Sequence, residues 1–126
     1  MKPYVDIEGS GELTTRITFT SGSNSSTGTV VGANEAELRF LTVANTGGTG
    51  FAIAIYNESA SPRLTNVTAI ASGGSFNNFV VKNYDSSPTM AGMTISTPEV
   101  GIGVYNTDSS PTMTDVTVST LGGGTG

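Results

Sequence analysis

Apolar and polar residues alternate in short runs that recur along the chain. Ile53-Ala54-Ile55-Tyr56-Asn57, Phe79-Val80-Val81-Lys82-Asn83 and Ile102-Gly103-Val104-Tyr105-Asn106 share one pattern. A period of two predicts strands with Ile53/Ile55, Phe79/Val81 and Ile102/Val104 on one face, ended by Asn57, Asn83 and Asn106. The opposite face carries Tyr56, Lys82 and Tyr105. Each run leads to a Ser-Pro pair, Ser61-Pro62, Ser87-Pro88 and Ser110-Pro111, with the prolines 26 and then 23 residues apart. Beyond each proline a second short strand supplies one inward residue: Leu64, Met90 or Met113. Asn66, Gly92 and Asp115 follow. These residue types tolerate a left-handed backbone and so predict a sharp corner. A third strand then reads Val67-Thr68-Ala69, Met93-Thr94-Ile95 and Val116-Thr117-Val118.

Three strands and three bends repeated at this spacing predict an all-β fold, a right-handed parallel β-helix of about five coils of roughly 22–26 residues. At ~4.8 Å per coil the rod would be roughly 24 Å long. Leu38 and Leu41-Thr42-Val43 fit an earlier coil, Ile17-Thr18-Phe19 fits a third strand before that, and Val5 with Ile7 suggests a first strand. Phe40 and Arg16 stand where a corner is needed, so different turns are expected there. Residues 21–29 and 72–78 are rich in Gly, Ser and Asn and are expected to bulge from the coil. The asparagine column is read as a buried ladder, in which stacked amides bond one another along the axis and satisfy groups that burial would otherwise strand.

Composition narrows the functional classes. The 126 residues are 36% hydrophobic and 12% charged, with 17 glycines, and suit one solenoid domain over residues 1–126. The net charge is -5, and Lys2, Arg16, Arg39, Arg63 and Lys82 are scattered, so no nucleic-acid partner is expected. There is no cysteine and no histidine. Disulfide frameworks and thiolate metal sites are thereby excluded. No apolar run approaches the ~20 residues of a membrane span, so no membrane insertion is expected.

The repeat Tyr-Asn-x-x-Ser-Ser-Pro-Thr-Met-x-x-Val-Thr-Val, clearest over residues 105–118, resembles units of right-handed β-helix proteins of the pectin-lyase-like superfamily. Residues 2–12, Lys-Pro-Tyr-Val-Asp-Ile-Glu-Gly-Ser-Gly-Glu, resemble the first complete coil of pectinesterase-like domains. The resemblance covers most of the chain and implies an extracellular or cell-surface bacterial protein. Pectinesterase-like enzymes use two acidic residues, an arginine and glutamines in set motifs. None of those motifs is present, and the chain has no glutamine.

Three arrays could carry chemistry. Asp85 and Asp108 share a column with Ser59, and could form a carboxylate pair or a Ca²⁺ site; the plainer reading is solvent-facing Asx turns. Tyr56, Lys82 and Tyr105 form an outward stripe that could face a glycan. Thr18, Thr42, Thr68, Thr94 and Thr117 make a column resembling an ice-binding face, with Thr20, Ala44, Ile70, Ser96 and Ser119 as its irregular neighbour. Neither end supplies an amphipathic helix or a run of charge, so a cut from a longer solenoid or stacking on other chains is expected. The expectation is a non-catalytic structural module that self-associates end to end, without a cofactor. The alternative is a β-helix that binds or processes polysaccharide through residues outside this stretch.

Overall fold

A computed structural model describes residues 1–20, 22 and 24–121; Ser21, Ser23 and the terminal residues 122–126 lie outside the description. Twelve strands and no helix make up the described chain. They stack in parallel as a β-solenoid of about four turns. One sheet has the order β1 (Ile7–Glu8), β4 (Glu37–Asn45), β6 (Arg63–Ala71), β8 (Thr89–Ala91), β11 (Thr112–Thr114). Its continuation around a corner adds β2 (Arg16–Phe19) against β4, and β9 (Thr94–Thr97) between β6 and β12 (Thr117–Thr120). The second sheet runs β3 (Val30–Val31), β5 (Phe51–Glu58), β7 (Asn77–Tyr84), β10 (Ile102–Thr107).

Register makes each residue sit above its counterpart one coil away. Leu38 pairs with Leu64 and Leu64 with Met90, and Met90 with Met113, as their shared place in the repeat requires. Val43, Ala69, Ile95 and Val118 form a second inward column. Leu38, Leu64, Met90, Val43, Ala69 and Ile95 are fully buried. A column of apolar side chains buries itself because each coil covers the one beneath it.

The corner is the same in every complete coil. Phe40, Asn66, Gly92 and Asp115 all have φ between 50 and 60°. The expectation of a different turn at Phe40 is thus corrected. An L-residue there costs about 1–2 kcal/mol, and β4 and β6 pair on both sides of the corner, from Glu37↔Arg63 to Asn45↔Ala71, which holds Phe40 in place. Glycine suits the third position, where φ is +60° and a Cβ would lie 2.3 Å from the side-chain Oδ1 of Asn66 and displace it. Arg16 is not at a corner at all. It pairs with Thr42 inside β2, and residues 9–15 make the turn as an excursion, with Gly9 N–H bonding the Arg39 carbonyl and Gly11 N–H that of Phe40.

Two further readings change. Ile7 pairs with Leu38, so it opens the Leu64 column rather than a separate first strand. Ile53, Phe79 and Ile102 do not share the interior with Ile55 and Val81; they join Tyr56 and Phe51 in a second cluster apart from the main core. Ala54 with Ile55, and Val80 with Val81, both belong to the interior instead. Two consecutive inward residues break the alternation, as at a bend in the strand. Residues 72–78 stack rather than bulge: Ser72 N–H bonds the Asn45 carbonyl, Phe76 N–H that of Gly50, and Gly74 bridges Gly48.

Candidate functional site

The asparagine ladder forms as the sequence implies, and it has a direction. Asn57 Nδ2 donates to Asn83 Oδ1 at 2.8 Å, and Asn83 Nδ2 donates to Asn106 Oδ1 at 2.8 Å. Each amide thus satisfies the next inside a dry column. At the first-coil end the column position is Gly32. A Cβ there would fall 2.0 Å from Oδ1 of Asn57, a buried atom with no hydrogen-bond partner among the described residues.

Beside it runs a serine ladder that the sequence reading missed. Ala60 N–H donates to Ser86 Oγ at 3.1 Å, and Ser86 N–H to Ser109 Oγ at 3.0 Å. Ser87 N–H donates to Ser61 Oγ at 2.9 Å, and Ser110 N–H to Ser87 Oγ at 3.0 Å. The recurrent Ser-Pro pairs carried this signal: a hydroxyl at a fixed place in every turn can cap the turn of its neighbour. Two more buried amides were also missed. Asn45 Nδ2 bonds the Ile53 carbonyl and Asn78 Nδ2 that of Val100, closing the loops between sheets.

Both columns end on an exposed rim. Met113 is 50% exposed and Val118 37%, although the residues stacked beneath them, Met90 and Ile95, are fully buried. The last described coil therefore carries core residues without a cover among the described residues. Its backbone edge, along β10, β11 and β12, likewise has no strand on one side among the described residues.

On the outer face of the second sheet, Tyr56, Lys82 and Tyr105 do stand in register. Tyr56 is only 3% exposed, however. Lys82 Nζ bonds the Ser25 carbonyl and lies 5.7 Å from the Tyr56 ring and 5.3 Å from that of Phe79, so the residues 24–29 segment folds over this part of the stripe. Burial raises the Tyr56 phenol above its ordinary range, opposed by a hydrogen bond with Ser26. A run of rings continues beside it, Phe76 to Phe51 at 5.7 Å, Phe51 to Phe79 at 5.9 Å and Phe79 to Tyr105 at 5.3 Å, in which Phe76 and Tyr105 are exposed and Phe79 is buried.

Asp85 and Asp108 take left-handed conformations, φ 49 and 50°, in line with Ser59 at 50°. Both are exposed, and Ser59 Oγ reaches Asp85 Oδ2 only at 3.5 Å. Their common role is the turn. No group of three or more acidic side chains suited to a metal occurs among the described residues. The threonine column also needs correction: Thr18 pairs with Ala44, and Arg16 precedes Thr42, Thr68, Thr94 and Thr117. Thr42 is buried and donates to the Glu12 carbonyl, and Thr68 donates to the Glu12 carboxylate, which interrupts the array.

The charged centre was not anticipated. Glu37, 6% exposed, accepts from Thr65 Oγ1 at 2.5 Å, Arg39 at 2.7 Å and Arg63 at 3.2 Å, while Arg39 also binds Glu8 at 2.7 Å. A surface cavity of about 370 Å³ beside it is lined by Asp6, Glu35, Ala36, Glu37, Ser61 and Arg63. The Thr65 hydrogen bond, with help from Arg63 and Arg39, holds the Glu37 carboxyl below its ordinary value against the opposing effect of burial. Glu37 is therefore the anion of a three-coil clamp: Glu8, Arg39 and Arg63 lie in β1, β4 and β6.

Two outcomes follow for stability. Asn83→Ala leaves Asn57 Nδ2 and Asn106 Oδ1 without partners and should cost about 2–5 kcal/mol, against about 1 kcal/mol for Asn106→Ala on the rim; urea midpoints measure both. A carboxyl whose folded pKa is depressed stabilises above its unfolded value and loses that contribution as pH falls through the folded one. Stability should thus be full above about pH 4.5 and decline below it, and Glu37→Gln should flatten that decline in thermal melts across pH.

Comparison with protein-family models, with curated proteins and with solved structures returned no match.

Proposed function

We propose that the chain is a non-catalytic structural β-solenoid that associates with a copy of itself through its last described coil. The observation that carries this reading is the exposure of Met113 and Val118, in columns whose middle members Leu38, Leu64, Met90, Val43, Ala69 and Ile95 are fully buried. An edge of parallel strands with apolar side chains in register is a template for one more coil. Glu37, the buried acid next to the cavity, is held as an anion, the opposite of what a general acid for glycoside cleavage needs. The repeat's likeness to pectin-lyase-like proteins supports placing the module in that superfamily, outside the cell or on its surface.

A second reading has its own observation. The rings of Phe76, Phe51, Phe79 and Tyr105 succeed one another at 5.3–5.9 Å, and Phe76 is 78% exposed. The exposed rings at the two ends of this strip, Phe76 and Tyr105, suit the apolar faces of an uncharged glycan.

Light scattering over a wide concentration range tests the first reading. The mass should rise in multiples of 12.8 kDa, and Met113→Glu should abolish the rise; a wild-type chain that stays monomeric overturns it. For the second, affinity electrophoresis through neutral polysaccharides should retard the wild type and not the double variant Phe76→Ala, Tyr105→Ala. Equal migration of the two rejects a glycan face.

A further inference from the structure

The charges of the clamp cancel, and those of the cavity beside it do not. Glu8 and Glu37 are matched by Arg39 and Arg63, at separations between 2.7 and 3.2 Å. Asp6 and Glu35 also line the cavity, and both are exposed. Neither joins a salt bridge among the described residues. Asp6 Oδ1 accepts the Glu37 N–H at 2.8 Å, and its other oxygen has no partner among the described residues.

The opposite sign lines the same space. Arg63 gives Glu37 a single N–H at 3.2 Å, and its side chain is 69% exposed, so most of its guanidinium donors are unused. Ser61 Oγ accepts the Ser87 N–H at 2.9 Å and keeps its own proton for another acceptor. Ile7 pairs with Leu38 and Glu37 with Arg63, which puts Asp6, Glu37 and Arg63 in one column across three successive coils. Asp6 and Arg63 are then two strand spacings apart, roughly 10 Å between backbones. The cavity of about 370 Å³ falls within the ~300–1,000 Å³ of small-molecule sites.

This arrangement selects its occupant by charge. An anion alone would meet Asp6 and Glu35 and be repelled. A bare metal ion wants more oxygens brought together, and no group of three or more acidic side chains suited to a metal occurs among the described residues. A neutral sugar would leave both carboxylates and the guanidinium without counter-charges. Free lysine, with two ammonium groups and one carboxylate separated by a long side chain, is the complement of Asp6, Glu35 and Arg63. We infer that this cavity binds a free basic amino acid, with its cationic groups on Asp6 and Glu35 and its carboxylate on Arg63 and Ser61. The site uses no residue of the last coil or of the ring strip, so it stands or falls separately from the stacking and glycan readings.

An NMR titration of the full chain with L-lysine at low ionic strength, followed through the backbone amide shifts, tests this. Shifts should be confined to the surroundings of Asp6, Glu35, Ser61 and Arg63 and should saturate on the order of 1 mM, since the ion pairs stay open to water. Cadaverine, which is lysine without its carboxylate, should bind about fivefold more weakly, because it forgoes Arg63. Glu35→Gln should weaken lysine binding about fivefold. Shifts that never saturate, cadaverine binding as tightly as lysine, or an unchanged affinity in Glu35→Gln each overturn the assignment. Should the spectrum of Glu35→Gln show an altered fold, Asp6→Asn, which keeps the oxygen that the Glu37 N–H needs, takes its place with the same criteria.

Discussion

Everything in this molecule depends on vertical register: a residue is placed by what stands one coil above and below it, not by its neighbours in sequence. Backbone hydrogen bonds run along the axis and set residues 26 apart in register in the middle coils and 23 apart in the later ones, a spacing the asparagine side-chain bonds share. Once that pairing is set, like side chains stack on like. Leucine and methionine columns bury one another, side-chain amides bond the amides of the next coil, and serine hydroxyls accept from the backbone N–H groups of the adjacent turn. A slip of one residue would turn an entire column from the interior to solvent, which is why the register is so strongly specified.

The polar ladders extend this constraint into chemistry. An amide in a dry column must donate and accept along the axis, because no water reaches its sides. That requirement imposes a direction, and a directed column has unlike ends. Gly32 closes one end without an amide, and Asn106 leaves the other end available. The serine hydroxyls make an equivalent arrangement around the Ser-Pro turns. Polar satisfaction inside the solenoid and the character of its exposed rim are therefore one property.

The charged clamp works across coils in the same way. Glu37 in β4 draws Arg39 from its own strand and Arg63 from the next, and Arg39 reaches back to Glu8 in β1. Three strands with separate positions in the sequence are tied at one edge of the sheet, near the irregular first coil. The apolar rings on the second sheet are a separate feature, built from an outward column that a bend at Ala54 and Val80 created.

Repetition made most of the architecture legible in the sequence. The Ser-Pro spacing, the inward Leu64/Met90/Met113 column and the Asn57/Asn83/Asn106 ladder each recur at one period, and a periodic pattern can be aligned without knowing any coordinates. What lacked a repeat could be settled only in three dimensions. Phe40 adopts the left-handed corner despite being phenylalanine, since pairing on both of its flanks outweighs its local preference. Ile53, Phe79 and Ile102 pack in a second cluster on the other side of the sheet although alternation put them with Ile55 and Val81, because a bend restarts the count of faces and leaves no mark in composition. Tyr56 is covered by a segment some thirty residues earlier, and the threonine array is interrupted by Glu12, contacts between parts of the chain that share no pattern. Local preference and periodicity thus determined the coil, and long-range packing decided which of its surfaces remain open.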